Sequence, residues 1–326
     1  MTTLLKTAAA LAAGAVMLAG AAAAQDRSDW PRDLTVGTAS QGGVYFVYGN
    51  GLASFISESL GINASGEVTG GPVQNVTLVQ TGDHQIGLVT MGPMYEAWIG
   101  QSELMPGFEH KDVRALFPMY ETPFHVITLR SSGITSVADL AGKRVSVGPA
   151  GGTPGTYWPR FFETLGIDAT VSFAGASDAA GQLKDGLVDA FAFAAGLPIA
   201  AFSQLAAEAD VVTFAFTAEE LATILEAHPE MAAFEIPAGV YSGQDDAQQS
   251  VALWNFAVAR NDLPESLAYE IVKLVLENND RMVQIHAAAK TTLIENWDKN
   301  GFLPFHPGAV RYLEEQGVTV PAHLRD

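Results

Sequence analysis

The sequence predicts an α/β protein made of two sheet-centred domains with a hinge between them. From Asp33 onward short apolar strands alternate with helical runs, the pattern of layered and largely parallel sheets. That rhythm restarts after Pro123, so the chain carries the pattern twice. Roughly 300 residues follow a leader segment, enough for two domains with separate cores.

The first series opens with a β-branched strand, Leu34 to Thr38, followed by a helix from Val44 to Leu60. Apolar residues at Val44, Val47, Tyr48, Leu52, Phe55 and Ile56 are spaced by threes and fours, which places one stripe against a sheet. A strand at Gly66 to Thr69, a helix at Val73 to Thr81 and strands at Ile86 to Val89 and Val113 to Tyr120 complete the series. The second series has strands at Val126 to Leu129, Arg144 to Gly148, Thr170 to Phe173 and Asp189 to Ala194. Its helices lie near Thr156 to Leu165 and Ser177 to Lys184, and Ser136 with Asp139 has the form of a capping box. An apolar strand, Val251 to Ala259, then returns the chain to the first domain. A long closing helix follows from Leu263 to Ala289, with Pro264 in its first turn and a stripe through Leu267, Ile271, Leu274 and Val275. The domains are therefore 25–125 plus 251–326, and 126–250.

The first 24 residues read as a secretory signal peptide, with one Lys, an apolar Ala-rich run and small residues suited to cleavage after Ala24. No later segment has the roughly 18 apolar residues of a spanning helix. The expectation is an exported, periplasmic protein with no stable membrane insertion after cleavage. Cysteine is absent, so packing rather than disulfides must hold the fold. The formal net charge of −19 becomes −20 once Lys6 leaves with the leader. Nucleic acid is excluded as a partner, because phosphate neutralisation needs a basic surface. A small anion inside a cleft is not excluded, since local dipoles outweigh surface charges beyond a Debye length of about 8–10 Å.

Three strand-to-helix junctions are rich in glycine. The first carries Ser40, Gly42 and Gly43, the second Gly70 and Gly71 ahead of Gln74 and Asn75, the third Gly151, Gly152 and Gly155 with Thr153 and Thr156. The first amides of a helix lack partners within it, and the macrodipole adds positive potential there, so such a junction can hold an anion without Lys or Arg. Each is also what an ordinary tight turn looks like. Three of them beyond the carboxyl ends of strands fit one shared cleft, where ligands sit in open α/β sheets. Gly42, Gly43 and Gly152 are the expected amide donors to carboxylate oxygens. Tyr45 either offers its phenol to the ligand or packs as one more core aromatic. Thr90 ends a strand and presents a hydroxyl, while Phe193 and Gly196 are placed for an apolar wall opposite.

No dinucleotide fingerprint, P-loop, zinc motif or nucleophile elbow is present. The seven histidines are scattered, with His125 read as a packed or hinge residue and His306 as structural. No catalytic residue, metal ligand or cofactor is expected.

The order of motifs resembles the TAXI family of TRAP-transporter solute-binding receptors along the whole chain after the leader. The segments that carry it are VGTASQGGVYFVYGNGLA, EVTGGPVQNVTLVQTGDHQIGLV, SVADLAGKRVSVGPAGG, LKDGLVDAFAFAAGLP, IPAGVYSGQ and PFHPGAVRYLEEQG. The resemblance implies a two-lobed periplasmic-binding-protein type II fold, two mostly parallel sheets flanked by helices. It also implies capture of a small organic anion, glutamate-like or 2-oxoglutarate-like, for delivery to the membrane subunits of a TRAP-type secondary transporter by a monomeric receptor. The chain departs from the family pattern at Thr90, Met91 and Gly92 and in the loop Gly151 to Thr156, both where ligand is expected. Two other readings stand beside this one: a receptor for an ATP-driven importer, and an exported enzyme acting on an organic acid.

Overall fold

The structure is a computed structural model that describes residues 27–325. The chain divides into two units, Met1–Trp30 and Pro31–Asp326. In the first, residues 27–30 make one turn, with the Trp30 amide donating to the Arg27 carbonyl at 3.1 Å. The predicted leader and its cleavage after Ala24 lie outside the described residues. The sheet, the core and the site all belong to the second unit.

That unit opens with β1 (Asp33–Gly37), α1 (Val44–Leu60), β2 (Asn63–Glu67), α2 (Pro72–Thr81), β3 (Ile86–Thr90) and α3 (Met91–Trp98). Next comes β4 (Val113–Leu129), a strand of 17 residues. The predicted strands Val113 to Tyr120 and Val126 to Leu129 are the two ends of it. A second αβ series follows: β5 (Arg144–Ser146), α4 (Thr153–Leu165), β6 (Thr170–Ser172), α5 (Ala176–Lys184), β7 (Ala190–Ala194), α6 (Ala200–Glu208), β8 (Val211–Phe214), α7 (Ala218–Ala227) and β9 (Ala232–Ile236). The chain returns through β10 (Gln248–Arg260) and closes with α8 (Glu265–Glu277), α9 (Asn279–Ile285) and α10 (Pro307–Glu315).

The strands are ordered β2-β1-β3-β10-β4-β7-β5-β6, with β8 on β4 and β9 on β10. Outer pairs are parallel: β1 with β2 and β3, and β5 with β6 and β7. The joining strands β4 and β10 run antiparallel to each other and to their neighbours β3, β7, β8 and β9. The sheet is therefore mixed at its centre and parallel only in its outer parts. One lobe gathers around β1–β3 and the other around β5–β8, and both share β4 and β10. β4 and β10 thus join the two sheets.

The second lobe has an aromatic core. Trp158, Phe161, Tyr157 and Phe124 are almost wholly buried, and the Phe124 and Phe161 rings meet edge to face at 5.0 Å. The predicted closing helix is two helices, because Asn278 ends α8 with its side-chain amide donating to the Leu274 carbonyl at 2.8 Å. An Asn side chain competes with the backbone for such carbonyls, which is why it favours helix ends. Ser136 and Asp139 do form the reciprocal bonds of a capping box, here before a short 3₁₀ turn. His125 lies within β4, fully buried, 3.0 Å from the Tyr241 hydroxyl, and burial lowers its pKa to about 3. It is a packed, neutral histidine. His306 caps α10 by accepting from the Gly308 amide at 3.2 Å.

Candidate functional site

The carboxyl ends of β1, β3, β5 and β7 converge on one cavity between the lobes, of about 40 Å³. Ala39, Ser40, Gly43, Val44 and Tyr45 come from the β1–α1 junction, and Thr90 from the end of β3. From the other lobe come Pro149, Gly152, Thr153 and Pro154 at the β5–α4 junction, and Phe193, Ala194 and Ala195 at the end of β7. Pro72 and Thr122 complete the wall. The uncapped N-termini of α1 and α4 face it from opposite sides. As the first residues of a helix, Val44 and Tyr45 have amides with no acceptor inside it.

A hydroxyl network crosses the floor. Tyr45 Oη lies 3.0 Å from Thr90 Oγ1 and donates to Asn255 Oδ1 at 2.6 Å. Thr90 Oγ1 donates to the same Asn255 oxygen at 2.9 Å and meets Thr153 Oγ1 of the other lobe at 2.6 Å. Asn255 Nδ2 donates to the Tyr120 carbonyl at 2.6 Å and to Thr122 Oγ1 at 2.7 Å. With both Tyr45 and Thr90 donating to Asn255, the Thr153 hydroxyl donates to Thr90. The network is neutral throughout: burial pushes the Tyr45 phenol far above its ordinary range, and the Thr90 hydrogen bond offsets only part of that. Tyr45 packs as a core aromatic with its ring buried against Tyr120, and its hydroxyl is tied to Asn255 at the cavity floor.

Around this cavity the lobes touch through backbone and side chain. The α5 amides Ala176 and Ser177 donate to Ser40 Oγ and to the Gln41 carbonyl, each at 3.2 Å. The Ala201 amide at the start of α6 donates to the Gly42 carbonyl at 3.2 Å, and the Val73 amide of α2 to the Gly151 carbonyl at 3.2 Å. Farther out, Arg160 of α4 pairs with Glu96 of α3.

These contacts sort the residues expected at the site. Ser40, Gly43, Tyr45, Thr90, Gly152, Thr153 and Phe193 line the cavity; Gly42, Gly71, Asn75, Thr156 and Gly196 do not. Gly42 holds φ at +84°, and a Cβ there would sit 2.6 Å from Ser177 Oγ. Gly71 holds φ at +114°, and a Cβ there would sit 2.9 Å from the Gly151 oxygen and the Gly152 Cα. Both are glycine so that one lobe's backbone can reach the other. The Gly43 and Gly152 amides donate to Ser40 and Pro149 carbonyls within their own turns, so neither is the free amide donor expected of it. The next amides, Val44 and Tyr45 of α1 and Thr153 of α4, have no acceptor in their own helices. Asn75 spends its amide on the Gly37, Thr38 and Leu88 carbonyls and ties β1 to β3. Thr156 is buried in α4, its hydroxyl without a partner among the described residues. Gly196 packs between Tyr120 and Ala288 on the far side of the hinge.

Thr122 and Asn255 went unread in the sequence. The signal for Asn255 is its position as the lone amide in the apolar run VALWNFAVA. A buried Asn in such a strand must find several partners, and those lie on three other segments, α1, β3 and β4.

The model of the NMT1-like family matches residues 36–317. Among solved structures, MatC from Rhodopseudomonas palustris with bound malate is 15% identical at a TM-score of 0.56, covering 88% of this chain and 97% of that one. A periplasmic transporter is 12% identical at 0.56, covering 79% and 87%. An adipate-bound protein from R. palustris is 20% identical at 0.54, covering 80% and 89%. The shared architecture is the two-lobed fold of periplasmic binding proteins. No helix among the described residues is long and apolar enough to cross a membrane.

Proposed function

The chain belongs to the NMT1-like family, and from that premise we propose that it is an extracytoplasmic solute receptor that captures a small organic carboxylate between its lobes. The observation that carries this reading is the cavity itself. Two lobes meet around it, two uncapped helix N-termini face it, and every polar side chain on its wall is an uncharged hydroxyl. Ser40, Gly43, Tyr45, Thr90, Gly152, Thr153 and Phe193 are the proposed ligand-binding residues. Gly42, Gly71, Asn75, Thr156 and Gly196 support them by setting how the lobes meet and how the strands are tied.

Residues 25–125 with 251–326 act as one moving lobe and 126–250 as the other. Closure around the solute removes water and strengthens each hydrogen bond to it, which couples binding to hinge motion. The malate and adipate held by two proteins of this fold support the carboxylate class, which the TAXI-like motifs extend to glutamate-like and 2-oxoglutarate-like compounds. Those motifs also support delivery by a periplasmic monomer to a TRAP-type transporter. Among the described residues that line the cavity no nucleophile and base face each other, which supports binding without turnover.

Thermal-shift and calorimetric titration with keto acids, hydroxy acids, dicarboxylates and amino acids tests the receptor. A saturable shift with the compound recovered unchanged is the expected result; no response across the panel sinks the proposal. Uptake in cells separates the transporter types. Collapse of the ion gradient should stop it, whereas loss on ATP depletion with the gradient held points to an ATP-driven importer.

A further inference from the structure

The cavity's proton inventory specifies its solute more narrowly than its architecture does. Ser40 Oγ already accepts from the Ala176 amide, and Thr122 Oγ1 already accepts from Asn255 Nδ2. Neither hydroxyl gives its own proton to any described partner, so each has a proton to offer and a lone pair already used. The Val44 and Tyr45 amides at the start of α1 and the Thr153 amide at the start of α4 are donors by position, Pro154 having no amide hydrogen. Tyr45, Thr90 and Thr153 have committed their protons within the floor network. The set that remains, two hydroxyls and three amides, is enough for the roughly four lone-pair sites of one carboxylate and one further oxygen.

Apart from the two helix N-termini, nothing on the wall answers a second charge. Among the described residues that line the cavity there is no Lys, Arg or His to neutralise another carboxylate, and no Asp or Glu to receive an ammonium group. The rest of the wall is Ala, Val, Pro and Phe, and a charge buried there unpaired is costly.

Resting on the receptor reading above, we infer that the solute is a monocarboxylate with a short, uncharged body, such as a small 2-oxo or 2-hydroxy acid. Its carboxylate is held by Ser40, Thr122 and the α1 amides, and its body lies against Phe193 and the prolines. The malate and adipate of the two fold neighbours each carry two carboxylates, and this wall supplies donors for one.

Calorimetric titration of the purified chain with pyruvate, 2-oxobutyrate and lactate, against malate, 2-oxoglutarate, L-glutamate and lactamide, decides the question. The expected order is monocarboxylates at least about 100-fold tighter than any dicarboxylate, amino acid or neutral amide. A dicarboxylate or glutamate binding as tightly as the best monocarboxylate overturns this inference and leaves the carboxylate receptor standing. Lactamide matching lactate overturns the anion preference itself. No binding by any of them removes both readings. Ser40→Ala is expected to weaken the best monocarboxylate about 5- to 10-fold, with Thr122→Ser retaining binding that Thr122→Val loses.

Discussion

The Thr90 hydroxyl, at the end of β3 in one lobe, lies 2.6 Å from the Thr153 hydroxyl at the start of α4 in the other. It is the side-chain bridge at the cavity floor that joins the lobes, at the point where the solute is proposed to sit. The same Thr90 oxygen donates to Asn255 on β10, so closure is tied to a strand that passes between both lobes.

Thr153→Val removes the far end of that bridge and leaves the Asn255 contacts in place. One hydrogen bond is worth about 1 kcal/mol, so solute affinity should fall about fivefold with little change in melting temperature. Thr90→Val strips a partner from Asn255, which is fully buried, and should lower stability by about 1–3 kcal/mol. Calorimetry and urea unfolding separate the two outcomes.

Gly71→Ala places a methyl group against Gly151 and Gly152, whose backbone cannot rotate away. The lobes must part, and the positive φ adds about 1 kcal/mol of strain. Solution scattering in the presence of saturating solute should give a larger radius of gyration than the parent chain. An unchanged radius would mean that this contact does not limit closure.

Arg160→Gln breaks the ion pair between α4 and Glu96 of α3, which is partly open to solvent. Such pairs contribute about 0.2–1 kcal/mol and weaken with salt. Solute affinity should fall up to about fivefold at low ionic strength, and the difference from the parent should shrink towards 1 M salt.

Protonation of His125 supplies a pH dependence. Its folded pKa of about 3 lies below the unfolded value near 6.5, so the unfolded chain takes up the proton first as pH falls. Its contribution is complete above pH 6.5 and is lost progressively down to about pH 3. Between pH 6.5 and 5 the loss is roughly 2 kcal/mol. His306, lowered to about 4 by burial, adds in the same direction. Urea midpoints across this range should drop with acid, and His125→Gln should flatten the curve.

Much of this was legible in the chain before any fold was known. α1 runs from Val44 to Leu60 as its apolar spacing requires, and β3, α2 and α5 fall within a residue or two of where periodicity puts them. Junction glycines were legible for the same reason, since a turn from strand to helix is a local event. The helices α3, α6 and α7 and the strands β8 and β9 were not read, because each is short and its burial depends on neighbours elsewhere in the chain. Asn278 hid the break between α8 and α9 inside a pattern that stayed helical on both sides.

By itself the sequence determined the repeated αβ rhythm, the glycine-rich helix starts and the absence of cysteine, all properties that a short window or a count contains. Only the tertiary structure decided which glycines face solute and which face the other lobe. Gly43 lines the cavity, whereas Gly42, its neighbour, receives Ala201 through its carbonyl. It also decided that Thr122 and Asn255 join the site, for Asn255 meets Thr90 across 165 residues of sequence. A helix start fixes locally where unpaired amides will be. What they face depends on how two lobes fold against each other, and that is set by packing summed over the whole chain.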